Sequence, residues 1–441
     1  MPKNSRLPNC VRLKLRGGSA SGGVFRGMLT LALGSGIGKL IGVAAIPVLT
    51  RLYTPEDFGV LTVFSALVAI LVPLVTLQYV LALPLPRHNG VAINLLSLSF
   101  LLILGLTSVL TVAFWSLGTP LLMAFSMEML VPWWWLIVLG VLATACYEML
   151  TMWATRRRAY KIIAQTSVAQ STAGALLKIS LGLAGYQSAG LLAGQIVAQA
   201  GGTIALLRGF LGEIKLNCRR ISLGRMQKVA WGYRGFPLWR VPSQLLMIFS
   251  MQAPMLFIAA QYDARTTGQF GVAMMALAIP INLLGQSAGK ALYGEASAII
   301  KERPNDVAFM AIEVQKRLFL TAIIPALCLY FFGEMVFVAF LGEEWQKAGS
   351  FASVLSIAMT FQFASAPLVQ LANLLAKQGA FFLISSLRVL GLVLVFWFSS
   401  VKSLQVDLTV IVYSLFMAFF YVGVSVFILR SLGLSVNSKK G

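Results

Sequence analysis

Five basic residues interrupt stretches of the sequence that are otherwise apolar: Lys39, Lys178, Arg240, Lys290 and Arg388. A cation at the centre of a membrane-spanning helix costs about 2.5–3.5 kcal/mol on insertion scales, so it is kept where it faces a wet cavity or pairs with an anion. Lys39 and Arg388 fall near the middle of their stretches, which favours a cavity role. Arg240 and Lys290 fall near one end, where a long side chain can instead extend its charge to the membrane surface. For Lys178 both interpretations stay open.

Amide side chains recur at helical spacing beside these cations. Asn282, Gln286 and Lys290 follow one another at four-residue intervals, and Gln244 follows Arg240 by four residues. Residues at this spacing share one face of a helix. Amides and cations on such a face suit a ligand with hydroxyl groups and anionic oxygens. The alternative is hydrogen bonding between helices, worth about 0.6 kcal/mol per bond. The predicted substrate-binding set is Lys39, Lys178, Arg240, Gln244, Asn282, Gln286, Lys290 and Arg388.

Small residues accompany two of the lysines. Glycines at every fourth position between residues 34 and 42 flank Lys39, and Gln170 and Gly174 precede Lys178 at the same interval. Small residues let helices approach closely or break locally. For Lys39, helix packing and a structural ion pair are therefore the alternatives to a cavity role.

The elements that must carry these residues are membrane-spanning helices. Of the 441 residues, 58% are hydrophobic and only 11% are charged, whereas a soluble protein carries about a quarter charged residues. Apolar stretches of about 18 to 25 residues recur, each long enough to cross a hydrocarbon core of about 30 Å. We predict an all-α polytopic membrane protein with about 12 transmembrane helices. They lie near residues 28–50, 58–83, 91–116, 130–150, 164–184, 188–208, 237–260, 268–290, 318–341, 350–373, 378–398 and 406–430.

The distribution of basic residues predicts the orientation and the domain boundaries. The net charge is +21, and most cations lie in alternate short segments between the spans, as in the cytoplasmic loops of membrane proteins. Both termini are therefore predicted to be cytoplasmic, and the first stretch is predicted to be an uncleaved span. The predicted domains are a basic N-terminal segment 1–27, an N-lobe 28–208, a basic linker 209–236, a C-lobe 237–430 and a tail 431–441.

A short internal similarity supports a division into two six-helix lobes. Residues 54–59 (TPEDFG) open the second stretch and residues 266–271 (TTGQFG) open the eighth; in both, a proline and then a glutamine follow. Because both halves begin on the same side, the repeat is parallel, with a pseudo-two-fold axis along the membrane normal. Transporters of this build bind substrate between their halves. Residues 54–57 also have the cap, the proline and the acids of a helix start.

Residue types that other classes of protein require are scattered or scarce. The cysteines show neither a disulfide framework nor metal-ligand spacing, and the single histidine, His88, is predicted to be a solvated loop residue. No cofactor and no metal are expected, and nucleic acid is not an expected partner because no basic domain stands apart from the spans. Glu148 and Glu334 lie near span ends and do not form the relay of a proton-driven pump.

Short motifs along the chain carry a family resemblance. They include residues 51–59 (RLYTPEDFG), 233–237 (YRGFP), 293–296 (YGEA) and 342–349 (GEEWQKAG), and the similarity extends over about 24–430. In the order and spacing of these motifs the sequence strongly resembles bacterial polysaccharide flippases of the O-antigen type. Those flippases belong to the multidrug/oligosaccharidyl-lipid/polysaccharide exporter superfamily.

The resemblance implies a V-shaped, two-lobed bundle in the bacterial inner membrane. The implied substrate is a short oligosaccharide joined through pyrophosphate to a polyprenyl carrier, flipped by alternating access from the inner to the outer leaflet for O-antigen, capsule or exopolysaccharide synthesis. Its pyrophosphate carries about two negative charges, which membrane-embedded lysine and arginine would offset. The implied partners are this lipid and the bilayer; a polysaccharide polymerase and a chain-length regulator are further candidates. Family members often carry an acid where this chain has Val80, so a coupling role cannot rest on that position.

Other functions remain as alternatives. A multidrug exporter of the same superfamily is the nearest, although an exporter of cationic drugs is expected to use acidic cavity residues. A flippase for a lipid-linked cell-wall precursor typically has two further spans. A membrane-embedded polysaccharide polymerase or ligase would be an enzyme, with a large outer loop or an acid–base pair at the interface. The sequence shows neither feature, so a transporter without enzymatic activity is predicted.

Overall fold

The computed structural model describes residues 30, 33–124, 128–285, 288–289, 292–293, 295–296, 304–372 and 378–437. Over these residues the chain forms twelve long helices and no β-strand. A shorter linker helix, Leu223–Gly232, lies between the sixth and the seventh. The long helices are α1 (Leu33–Leu52), α2 (Pro55–Thr76), α3 (Asn89–Ala124), α4 (Trp134–Arg156), α5 (Tyr160–Leu183), α6 (Gln187–Arg220), α7 (Phe236–Gln261), α8 (Ala264–Pro280), α9 (Pro304–Leu341), α10 (Gln346–Ala372), α11 (Gln378–Val401) and α12 (Val406–Asn437).

Ten helices within the described part of the chain are long and apolar enough to cross a membrane. The other two, α5 and α8, stand at the remaining two predicted positions. α5 carries Gln170 and Lys178 on the face toward α6, and α8 has 17 residues before a π-helical turn at Ile281–Gly285 continues it. The predicted all-α polytopic membrane fold with two six-helix lobes is confirmed: α1–α6 form the N-lobe and α7–α12 the C-lobe.

Helix α2 lies at the centre of the N-lobe and packs against α3, α4 and α6. A capping box fixes its start, as the sequence predicted: Thr54 Oγ1 accepts a hydrogen bond from Asp57 N, and Asp57 Oδ2 accepts one from Thr54 N. Pro55 occupies the first turn, where a missing N–H costs no helical hydrogen bond. In α4, Gly140 leaves room for Phe64 of α2, whose Cζ lies 2.9 Å from where a Cβ would stand. The start and the lateral position of α2 are thus both fixed.

A cluster of aromatic rings joins five helices of the C-lobe. The ring of Phe270 (α8) lies 6.1 Å from those of Phe351 (α10) and Tyr413 (α12). The ring of Phe396 (α11) lies 5.9 Å from that of Tyr413 and 4.8 Å from that of Phe257 (α7). Because lipid is as apolar as these side chains, close packing rather than the hydrophobic effect holds helices together in a membrane. The cluster therefore sets the spacing of the helices that surround the interior of the C-lobe.

The two lobes approach each other closely where α2 crosses α8. Gly59 lies against the backbone of Ala264, and a Cβ added to Gly268 would stand 1.8 Å from the carbonyl oxygen of Pro55. Gly59 and Gly268 belong to the two similar hexapeptides of the sequence. Equivalent segments touch each other where a two-fold axis passes between them. The crossing therefore marks the pseudo-two-fold axis between the lobes.

Asn94 of α3, which is 0% exposed, joins the linker to the N-lobe by two hydrogen bonds. Its Nδ2 donates to the carbonyl oxygen of Arg220 at 3.0 Å, and its Oδ1 accepts from Ser222 N at 3.0 Å. Tyr79 Oη donates to the carbonyl oxygen of Ala230 in the linker helix at 3.0 Å. The linker is thus attached to the ends of α2 and α3. We call this end of the bundle the predicted inner end, and the opposite one the predicted outer end.

Replacing Asn94 by alanine should lower the free energy of unfolding by about 1–3 kcal/mol, because two hydrogen bonds to the linker backbone are lost, each worth about 0.5–1.5 kcal/mol. We expect a lower melting temperature in detergent and faster proteolysis between residues 218 and 222. Asn94→Asp keeps the acceptor for Ser222 N and should lose less. Asn217→Ala is the matched control, since among the described residues its side chain bonds within its own helix, to the carbonyl oxygen of Glu213. Equal melting of Asn94→Ala and wild type would show that other contacts hold the linker.

Candidate functional site

A cavity in the N-lobe contains two of the predicted cations. Lys39 of α1 and Lys178 of α5 both line a space of about 440 Å³ that α1, α2, α5 and α6 surround and α8 borders. Neither lysine forms an ion pair with any residue that the structure describes. The cavity, here called the N-lobe chamber, therefore holds two positive charges that no described carboxylate balances.

Close packing between α5 and α6 positions Lys178. Its Nζ donates to Gln195 Oε1 at 2.6 Å, and its stem crosses Gly194, where a Cβ would stand 2.3 Å from Lys178 Cγ. Gly174 and Gln170, one and two turns earlier, also contact α6. The stripe seen in the sequence thus faces α6, and of its three members only Lys178 lines the chamber.

Glycines of α1 position Lys39. Gly34 and Gly38 let α1 pack directly against α5, since a Cβ at either would stand under 3.0 Å from an α5 atom. Gly42 has nothing within 4 Å of its Cβ position and lines the N-lobe chamber. A turn interrupts α1 just before Pro47. The glycine strip therefore serves helix packing at one end and opens space beside Lys39 at the other.

The C-lobe contains a second cavity, of about 500 Å³, here called the C-lobe chamber. Helices α7, α8, α10, α11 and α12 surround it, and α2 contributes two residues at the lobe interface. Six methionines and the rings of Tyr413, Phe420 and Tyr421 supply much of its apolar wall. Its polar lining comprises Thr62, Ser65, Ser250, Gln252, Gln362, Gln370, Ser385 and Arg388.

Among the described residues, Arg388 is the one basic residue that lines the C-lobe chamber. Its guanidinium carbon lies 5.9 Å from the centre of the Tyr421 ring. Its Nε is buried without a hydrogen-bond partner, and no carboxylate within the described ranges pairs with it. A charge removed from water is costly unless other groups satisfy it. Arg388 therefore leaves a positive charge, which no described carboxylate balances, available to a ligand.

Three amide side chains of the C-lobe chamber, Gln252, Gln362 and Gln370, have no hydrogen-bond partner among the residues with described positions. Unbonded amides can donate to and accept from hydroxyl groups. Gln362 and Gln370 lie eight residues apart on α10, on one helical face with Ala366 between them. That spacing is visible in the sequence and could have predicted both residues. Gln252 stands alone and gives no such signal.

The two chambers adjoin at α8. Met275 and Ala278 line both cavities. The lysines of the N-lobe chamber and Arg388 thus face two neighbouring spaces. The sequence predicted one substrate-binding set, and the structure divides its described cavity residues into two groups.

The remaining residues of the predicted set lie elsewhere. Arg240 is exposed and Gln244 is half-buried, and neither lines a chamber. Asn282 lies in the π-helical turn after α8, and its side chain falls outside the described part of the chain. Gln286 and Lys290 also lie outside the described residues. Their role in binding stays a prediction.

Contacts between the lobes close the predicted outer end. Trp345, at 0% exposure, donates from Nε1 to the carbonyl oxygen of Thr50 at 3.0 Å. Its ring meets Phe58 edge to face, with centroids 5.0 Å apart. Glu56 and Arg265 form an ion pair at 3.3 Å across the same boundary. Together with the crossing of α2 and α8, these contacts hold the two lobes against each other at the predicted outer end.

Two six-helix lobes, each with a chamber that contains basic side chains, define a polytopic membrane protein. The chain belongs to the polysaccharide biosynthesis protein family, whose sequence profile matches residues 48–350. No curated protein sequence matches it at a significant level.

Two solved structures share the fold. One, described as the lipid II flippase MurJ in an inward closed conformation, has a TM-score of 0.69 and 10% identity over 93% of this chain and 87% of that chain. The other, an inward-facing multidrug resistance MATE family transporter of the MOP superfamily, has a TM-score of 0.61 and 14% identity, over 92% and 94%. At these identities the likeness concerns the fold. With the family match, it confirms the resemblance to polysaccharide flippases that the motifs indicated.

Proposed function

We propose that the protein flips a polyprenyl-pyrophosphate-linked oligosaccharide from the inner to the outer leaflet of the bacterial cytoplasmic membrane, for surface polysaccharide synthesis. Membership of the polysaccharide biosynthesis family supports the pathway, and the fold shared with a flippase and a transporter supports movement of a substrate across the membrane. In this proposal the protein catalyses no covalent change.

The observation that carries the proposal is the pair of lysines in the N-lobe chamber. A pyrophosphate diester brings about two negative charges, and taking them out of water is unfavourable unless cations and hydrogen-bond donors receive them. Lys39 and Lys178 supply two cations without described carboxylate partners, and Gln195 and Ser171 add polar groups to the same wall. A space of about 440 Å³ suits a head group, while the prenyl tail stays in the bilayer.

The closed outer end supports alternating access as the mechanism. With the predicted orientation, closure at this end is the state that receives substrate from the cytoplasm. The lobes then rock, which requires separation of Glu56 from Arg265 and of Trp345 from Thr50. The membrane potential, negative inside, favours exit of an anion by about 2.3 kcal/mol per charge per 100 mV.

A drug exporter is the second candidate, because one structural neighbour is a multidrug resistance transporter. Cationic drugs would meet Lys39, Lys178 and Arg388, which repel them. The chambers therefore favour an anionic substrate. A membrane-embedded polymerase or ligase would need an acid–base pair at its site, and the titratable residues that line the described chambers are lysine, arginine and tyrosine.

Deletion of the gene in the native host tests the proposal. A lipid-linked oligosaccharide should accumulate in the inner leaflet, where sealed vesicles of native orientation protect it from membrane-impermeant periodate. Restoring the gene should restore surface polysaccharide and remove the accumulated lipid. If no lipid-linked oligosaccharide accumulates and the strain instead becomes sensitive to toxic compounds, the drug-exporter hypothesis replaces the flippase hypothesis.

A further inference from the structure

The C-lobe chamber holds a positive charge that a pyrophosphate in the N-lobe chamber leaves unpaired. Arg388 lines a different cavity from Lys39 and Lys178. We infer, resting on the proposed function, that the transported oligosaccharide contains an acidic sugar, and that Arg388 binds its carboxylate in the C-lobe chamber. The substrate then carries two anionic groups, one for each chamber.

The chemistry of Arg388 favours a carboxylate. A guanidinium presents parallel N–H groups that match the two oxygens of a carboxylate, and it stays charged at any physiological pH. Its Nε is buried without a partner, and the ring of Tyr421 beside it offers no anion. A carboxylate from outside the protein would balance the charge of Arg388.

The rest of the lining suits a sugar ring. Gln252, Gln362 and Gln370 offer amides that bond to no other described residue, which is what hydroxyl groups need. Tyr421 and Phe420 offer flat apolar surfaces for the C–H face of a pyranose. Six methionines complete the wall, and methionine adapts its shape to irregular ligands. The described lining thus combines adaptable apolar surface with amides and the cation of Arg388.

The junction of the chambers gives the order of the groups along the substrate. Met275 and Ala278 border both cavities, so the chambers are neighbours, and the inference places one extended ligand across them. With the pyrophosphate between Lys39 and Lys178, the attached sugars reach the C-lobe chamber across this junction. The alternative, in which Arg388 binds the pyrophosphate itself, would leave the amides of the C-lobe chamber to a sugar without an acid.

The composition of the lipid-linked oligosaccharide gives the first test. In the deletion strain described above, the accumulated glycan should contain a uronic acid or another carboxylated sugar, measured by mass spectrometry of the released oligosaccharide. A neutral glycan overturns the inference and leaves the proposed function standing. The absence of any accumulated lipid overturns the proposed function instead.

The second test compares two lipid substrates on wild type and on one variant, in proteoliposomes that contain the purified protein. The accumulated lipid and its carboxyl-reduced form are flipped in parallel by wild type and by Arg388→Gln. With the acidic lipid, Arg388→Gln should slow flipping by about tenfold or more, the range of a charge-assisted hydrogen bond. With the reduced lipid it should cause no further loss. Both lipids are compared on one preparation, so incomplete folding of the variant lowers both flipping rates by the same factor and does not change their ratio.

Two further variants show whether the loss is specific to the carboxylate. Lys178→Gln, in the N-lobe chamber, should slow the acidic and the reduced lipids by the same factor. Arg388→Lys keeps the charge but loses the paired donors, so it should retain part of the preference for the acidic lipid. Equal slowing of both lipids by Arg388→Gln would assign Arg388 to the pyrophosphate or to the fold and overturn the inference.

Discussion

Replacing Lys39 and Lys178 together by glutamine should abolish flipping, with a rate at least about 100-fold below wild type. A hydrogen bond to a charged group is worth about 1.5–3 kcal/mol, so losing two costs about 3–6 kcal/mol, and each 1.4 kcal/mol is a factor of ten. The double variant leaves the proposed pyrophosphate in the N-lobe chamber without either cation that lines it. Glutamine keeps a polar side chain of similar reach, so the chamber loses charge more than volume.

The measurement is the rate at which a lipid-linked oligosaccharide becomes accessible on the far side of proteoliposomes. Lys161→Gln is the matched control: Lys161 lies on α5, like Lys178, but is exposed near the start of the helix. It should flip at the wild-type rate. The abundance and the melting temperature of each variant show that folded protein is compared with folded protein.

The single variants show whether the two lysines act on one group. If both bind the same pyrophosphate, each single replacement should already cost most of the rate, and the double should cost less than the product of the two effects. Wild-type flipping by the folded double variant would remove the N-lobe chamber from the mechanism. The cationic site would then have to be sought at Arg388 or among the residues near 282–290.

Properties that depend on local sequence could be predicted. Each of the twelve apolar stretches corresponds to one helix, because the length and hydropathy of a stretch are local quantities. The capping box at Thr54 and Asp57 is likewise local. The similarity between residues 54–59 and 266–271 predicted the repeat, and the structure adds that these segments touch each other at the pseudo-two-fold axis.

The division of the site into two chambers could not be predicted, because it depends on which helices become neighbours. Lys39 and Lys178 share a chamber only because glycines let α1 and α5 pack together, and Arg388 belongs to the other lobe. The four-residue spacing also assumes an uninterrupted α-helix. Two π-helical turns interrupt the α-helix: Phe236–Arg240, which contains Pro237, and Ile281–Gly285, which follows Pro280. Such turns change which residues share a helical face. Arg240 lies in the first of these turns, and neither Arg240 nor Gln244 lines a chamber.

Replacing Gly268 by alanine should force the lobes apart at the predicted outer end. The new Cβ would stand 1.8 Å from the carbonyl oxygen of Pro55 and 2.8 Å from Gly59 N, and backbone atoms cannot rotate out of its way. Overpacking of this kind costs about 1–3 kcal/mol, occasionally more. If that cost falls on the closed state, the ratio of closed to open protein should drop by about 5- to 150-fold.

Cross-linking of Glu56→Cys to Arg265→Cys by a bifunctional thiol reagent that spans the length of the two native side chains, in a background without the native cysteines, reports the closed population. The two native side chains form an ion pair at 3.3 Å across the lobes, so the reagent can join the two positions only when the outer end is closed. Gly268→Ala should slow this cross-linking and slow flipping, because each cycle must return through the closed state. Gly105→Ala in α3 is the matched control, since nothing lies within 4 Å of its Cβ position. A folded Gly268→Ala protein that cross-links and flips like wild type would show that the crossing of α2 and α8 is not the closure on which transport depends.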